Sequence, residues 1–321
     1  MINLTQRPFF PYLVLLVGVL TAATSSILIR LAQSEGAPSL VIASWRLILA
    51  TVILTPLAWR RRGPEIRQLA RSDVGWGVAA GLFLAAHMAA WISSLAFTSV
   101  ASAAALVTTN PLWVALAVFL FFGERPSAYT LIGLAAALTG SLLIAVSDGG
   151  VFIYQPVASP AWQLNWRNLI APADKADTAL WGDFLALLGA ITVTGYLLIG
   201  RNLRTRLSTT AYVWLAYTAA AVALLAGTLA AGAPLFGYSW LAYLWILLLA
   251  LGPQLLGHTS FNWALAHLST TFVSISILGE PIGSAIFAYF LFGETFAPIQ
   301  LGGFVLLLAG IGLGVLGEQK R

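Results

Sequence analysis

Residues 277–294 read ILGEPIGSAIFAYFLFGE, and 170 positions earlier residues 107–124 read VTTNPLWVALAVFLFFGE. At that offset Pro111 falls on Pro281, and Phe122-Gly123-Glu124 falls on Phe292-Gly293-Glu294. Working outward, the same shift lays Leu95-Ala96 on Leu265-Ala266, Ser99 on Ser269, Gly133 on Gly303 and Gly140 on Gly310. One unbroken offset carrying all of these marks an internal duplication.

The duplicated unit is built for lipid. Of 321 residues, 60% are apolar and 8% charged, with a mean hydropathy of +0.90. Soluble domains run at about half apolar and a quarter charged. A single buried core stops growing at roughly 250–300 residues, so one large soluble core does not explain the excess. A membrane-crossing helix needs about 20 apolar residues. Reading from breaker to breaker gives spans at 12–30, 38–58, 74–97, 101–122 and 128–147, then at 181–200, 210–231, 241–266, 271–292 and 297–317. The expected fold is an all-α polytopic membrane protein of ten transmembrane helices in two five-helix repeats. Residues 1–147 form the first repeat, 148–180 an extracytoplasmic connecting segment, and 181–321 the second repeat.

Five is odd, so similar halves must lie upside down relative to each other. The basic residues agree. The join after span two carries Arg60, Arg61, Arg62, Arg67 and Arg71, whereas its counterpart after span seven carries none. The join after span one has Arg30 alone, and that after span six has Arg201, Arg204 and Arg206. Summed over the joins, the side holding both termini is strongly enriched in Lys and Arg, which places both termini in the cytoplasm of a multi-pass inner or plasma membrane protein. Inverted repeats are a construction of secondary transporters, with the site near the midplane where the repeats meet.

Several residues are candidates for that site. Glu280 precedes Pro281 in the middle of span nine. Intramembrane acids are costly and face a partner or a wet cavity. Such a carboxyl can take and release a proton during transport, or it can be a structural acid paired with Arg46 or a freed backbone amide. Its repeat counterpart is Asn110, which keeps the proline and loses the charge. In span eight Gln254, His258 and Asn262 recur every four residues, on one helix face. Span three offers His87 and Trp91, and span six Tyr196. Such side chains suit a small zwitterion or an aromatic metabolite, and they equally suit ordinary interhelical hydrogen bonding. For Arg46, in span two, three readings stand: snorkelling, an internal acid, or a substrate carboxylate. Gly77/Gly81 and Gly310/Gly314 have the spacing of close helix packing, either within one protomer or between the copies of a homodimer. Glu124 and Glu294 read as structural turns, and 148–180 as a surface insertion or a lid.

Other chemistries lack their residues. With no cysteine there is no thiolate nucleophile and no cysteine-held metal, and three histidines are thin material for a metal site. No phosphate-binding GxxxxGK[ST] loop is present, so no ATPase is built in. The charge of +5 sits in short joins rather than in a stripe, which argues against nucleic acid. Neither an enzyme nor a bound cofactor is expected; the expected partners are a small-molecule substrate, the lipid bilayer and coupling protons.

Ile277-Leu278-Gly279-Glu280-Pro281, running on through Phe290-Leu291-Phe292-Gly293-Glu294, resembles the final-repeat signature of EamA-type members of the drug/metabolite transporter superfamily. Asn110-Pro111 through Gly123-Glu124 is similar to its first-repeat counterpart, and Pro38 followed by Trp45-Arg46 looks like the start of span two. The resemblance implies a central cavity lined by spans three, four, eight and nine, and an exporter of amino-acid-like or related metabolites working by alternating access. An uncoupled channel-like facilitator and a non-transporting scaffold of the same architecture stay open.

Overall fold

The computed structural model describes residues 9–97, 103, 106–123, 126–148, 152–153, 163–164, 176–280, 282–283, 287 and 298–319. Among the described residues regular structure is helical apart from one minimal antiparallel ladder, β1 (Phe152–Ile153) against β2 (Gln163–Leu164). In chain order the helices of the first repeat are α1 (Phe10–Ala22), α2 (Ser25–Ser34), α3 (Ser39–Arg67), α4 (Arg71–Phe97), α5 (Asn110–Phe122) and α6 (Ala128–Asp148). The second repeat supplies α7 (Ala176–Leu203), α8 (Thr209–Ala230), α9 (Trp240–Leu249), a π-helical segment (Ala250–His258), α10 (Thr259–Ala264), α11 (Thr270–Ile277) and α12 (Pro298–Gln319).

Six stretches among the described residues are long and apolar enough to cross a bilayer: Phe10–Ser34, Ser39–Arg67, Arg71–Phe97, Phe184–Leu203, Thr209–Ala230 and Trp240–Ala264. Shorter apolar stretches, Ala128–Gly140 and Leu301–Gly310, lie in α6 and α12. Lipid-facing surfaces are apolar, as at Leu16, Val52, Leu120, Val222 and Val305, all exposed. Local sequence sets the ends. Ser208, Ser239 and Ser269 accept hydrogen bonds from Ala211, Ala242 and Phe272 N–H at three helix starts, and Gly123 closes α5 in the left-handed conformation at φ 67°.

The repeats interlock. α4 of the first packs chiefly on α7 and α8 of the second, and α1 packs on the π segment and α10. Glycines set these approaches. A Cβ on Gly81 would lie 2.6 Å from the Ala216 carbonyl oxygen, and a Cβ on Gly77 would run into the Leu215 side chain. Between α6 and α12, a Cβ on Gly140 would lie 2.5 Å from Gly303 O, and one on Gly310 would lie 2.5 Å from Gly133 O. Those contacts exchange under the 170-residue shift, as pseudo-two-fold symmetry requires. The small-residue faces of Gly77, Gly81 and Gly310 are therefore used inside the protomer; Gly314 has no described side-chain surroundings.

Matched ties join the repeats at both ends of α3. At its start, Ser239 donates to Glu35 Oε2 at 2.5 Å, Trp45 Nε1 donates to Leu235 O at 2.8 Å, and the Ser44 and Thr228 hydroxyls meet at 2.6 Å. At its far end, past a kink at Arg62, Arg206 pairs with Asp73 at 3.1 Å and Ser208 N–H donates to Glu65 at 2.7 Å. Midway along α3, Trp214 Nε1 donates to Thr55 Oγ1 at 3.1 Å. The loop partners, 34–39 with 231–243 and 204–209 with 61–73, interchange under the same shift. Burial lowers the Arg204 guanidinium from its ordinary value, opposed by nearby Glu65; its donors reach the carbonyls of Leu207 and Asn262.

Candidate functional site

In the stretches expected as spans four and nine, the described residues are each interrupted by a turn. A turn at Thr108–Thr109 precedes Asn110, where α5 begins with Pro111 in its first turn. A turn at Leu278–Gly279 follows α11, and helix resumes at Glu280. The two turns coincide under the 170-residue shift. Proline has no N–H to give and clashes with the preceding turn, so the backbone opens there. Non-helical backbone at membrane depth is tolerated only where protein or a cavity covers it. Asn110 and Glu280 accordingly start the resumed helices beside one cavity. Pro281 and Ser284, like Glu124 and Glu294, lie outside the described residues.

This cavity holds about 50 Å³ of free space and is partly open to the exterior, so it is narrower than a formed small-molecule site and must widen to take a solute. Both repeats line it: Arg46, His87, Trp91 and Asn110 from the first, Tyr196, His258, Phe261 and Glu280 from the second. Arg46 is fully buried, which excludes snorkelling. Its Nε donates to Gln254 Oε1 at 2.8 Å and its Nη1 to Ser25 Oγ at 3.1 Å. Nη2 has no hydrogen-bond partner among the described residues. Nor does an ion pair join Arg46 to Glu280 among them. The paired structural acid entertained from sequence is thus not what the geometry presents: the two charges share a cavity without closing on each other.

His87 Nδ1 sits 2.9 Å from Gly189 O. A carbonyl only accepts, so Nδ1 carries the hydrogen and Nε2 the lone pair. The His87 ring stacks over Trp91, with centroids 6.1 Å apart and planes 6° apart, and meets His258 edgewise at 6.4 Å. Trp91 Nε1 and Asn110 Oδ1 are buried without hydrogen-bond partners among the described residues. Buried polar groups of this kind are costly unless a partner completes them.

The face expected of span eight divides. Only His258 lines the cavity; Gln254 and Asn262 stand behind its wall. The reason is the π winding of 250–258, which contains Pro253 and does not keep the 3.6-residue period on which a shared face depends. Gln254 turns to Arg46, while its carbonyl accepts from Tyr217 OH at 3.0 Å. Asn262 Nδ2 donates to Tyr196 OH and, at 2.8 Å, to His258 O. Both therefore support lining residues.

Sequence reasoning missed Ser25, Phe261 and Val193 in the lining and Tyr217 behind it. Ser25 begins α2 just after the break at Ala23–Thr24. The Thr21, Thr24, Ser25, Ser26 cluster in an otherwise apolar run was the available signal. The polar side chains Ser94, Thr192 and Ser276 instead bond carbonyls of their own helices.

Comparison with known proteins adds the following. The sequence model of the EamA-like transporter family matches residues 9–146 and 180–316. A riboflavin transporter of Brucella anthropi is 31% identical over 109 residues, which is 34% of this chain and 37% of that protein. The match therefore spans little more than a third of that relative. A crystal structure with 14% sequence identity superposes at a TM-score of 0.72, covering 97% of this chain and 98% of that one. At that identity the likeness concerns the fold.

Proposed function

This chain belongs to the EamA-like transporter family, and from that premise we propose that it is a secondary carrier moving a small organic solute with a planar or apolar body. It works by alternating access around the cavity of Arg46 and Glu280, in a ten-span inverted-repeat frame with both termini cytoplasmic. One observation carries the reading: a membrane transporter places opposite charges and a wall of aromatic rings around a cavity where two broken helices meet. Interrupted helices at the junction of repeats are how such carriers expose backbone dipoles to cargo. The matched ties at the two ends of α3 support alternation, because one can release while its symmetry mate holds. A riboflavin-transporting relative supports a planar cargo. The outward direction implied by the family resemblance belongs to the same reading. Glu280 is the coupling acid, and His87, Trp91, Asn110, Tyr196 and His258 line the path.

Flux of riboflavin and of small aromatic acids into and out of proteoliposomes tests this. Wild-type protein should give saturable flux of at least one of them. Val193→Trp, which fills the cavity from a buried lining position, and Glu280→Gln should each reduce it about a hundredfold or more while the protein stays folded. Wild-type rates in both variants would remove the cavity from the mechanism.

A further inference from the structure

Arg46 is an unfinished binding group. Two of its three guanidinium nitrogens are held by Gln254 and Ser25, from different repeats, and the third is unpartnered among the described residues although the side chain is fully buried. A guanidinium in a rigid fork prefers a planar oxyanion, and such charge-assisted bonds are about twice as strong as neutral ones. Its one acidic companion among the described lining residues, Glu280, forms no ion pair with it. Beside it, Trp91 Nε1 is a second unpartnered donor, and Trp91, Tyr196 and Phe261 give a flat apolar wall.

Charge counting then constrains the cargo. The titratable groups among the described lining residues are Arg46, Glu280, His87, His258 and Tyr196. With both imidazoles and the phenol neutral, Arg46 and ionised Glu280 sum to zero, and Glu280→Gln separates the carboxylate from the imidazoles as the proton site. Adding an anion would leave the occluded cavity at minus one, which is expensive away from water. A proton on Glu280 restores neutrality: the carboxylate takes up H⁺ to become a carboxylic acid, and Arg46 is left free for the incoming anion. We propose that the cargo is an aromatic monocarboxylate seated on Arg46, and that one proton loads onto Glu280 with it, so that anion and proton cross together. The inference rests on the carrier reading above and narrows it, since a neutral planar solute would need neither Arg46 nor a proton. Gln254 is a positioning residue here: it fixes the guanidinium so that Nη2 is left for the cargo.

The test uses purified protein with indole-3-acetate, its primary amide and riboflavin as probes, reading thermal shift and, in weak buffer, proton uptake on mixing. The acid should bind at least about tenfold more tightly than the amide, the scale of one charge-assisted bond, with close to one proton taken up per acid bound. Glu280→Gln should still bind the acid and take up no proton. Arg46→Lys should weaken the acid about tenfold and leave the amide unchanged; because Arg46→Gln risks misfolding, the acid–amide comparison in wild type carries the test. Equal binding of acid and amide, proton uptake unchanged in Glu280→Gln, or no binding of the acid would overturn the inference. If riboflavin or the amide binds at least as tightly as the acid and Val193→Trp abolishes that binding, the carrier reading survives while the anion inference fails.

Discussion

Single atoms decide what this cavity is. Arg46 holds a charge inside a membrane-spanning helix because Gln254 and Ser25 meet two of its nitrogens; losing one hydrogen bond to a charged group typically costs about 1.5–3 kcal/mol. Residues with no polar group matter as much. Gly81 lets α4 and α8 touch, and Gly81→Val would set carbons against Ala219 Cβ at 2.5 Å and the Ala216 carbonyl at 2.6 Å. Backbone cannot yield cheaply, so overpacking should cost about 1–3 kcal/mol. A melting temperature lower by several degrees is the expected outcome, and an unchanged one would mean the helices are not seated as described. Arg46, Glu280, His87 and Trp91 were all visible in the sequence as polar or aromatic groups inside spans. Their partners were not, because Gln254 and Ser25 reach Arg46 across 208 and 21 positions of chain, a distance no local pattern encodes.

Elements explain where sequence periodicity misleads. The stripe Gln254, His258, Asn262 presumes an α-helix, and the chain winds 250–258 as a π-helix instead. Gly252, Pro253 and Gly257 were the hint, since proline withholds a hydrogen bond and glycine stiffens nothing. Pro253→Ala restores the missing N–H and should let the segment rewind, turning Gln254 from Arg46. Transport should then fall about tenfold or more with little loss of thermal stability, and wild-type transport would make the π winding incidental. The breaks before Asn110 and Glu280 were legible as paired prolines at one offset, although a proline alone does not say that two turn residues will interrupt each helix.

At the scale of the whole molecule, the duplication was the most legible feature, because one offset aligns glycines that now meet across the α6–α12 contact. Interlocking was not legible. Nothing in either repeat alone says that α4 will lie against α7 and α8 of the other. On the proposed carrier reading, motion that alternates access has to rearrange contacts between the two repeats. The ties at the two ends of α3 are where that motion would be released, one end at a time.

The central claim, one cavity opened alternately to the two sides, can be tested without knowing the cargo. The chain has no native cysteine, so Val193→Cys reports access to the cavity alone. In sealed vesicles a membrane-impermeant maleimide should modify position 193 when supplied on either side. When Glu35→Cys and Ser239→Cys are added and crosslinked to each other, modification from the outer side should stop and that from the cytoplasmic side continue. Modification from both sides after crosslinking, or from one side only before it, would contradict the account.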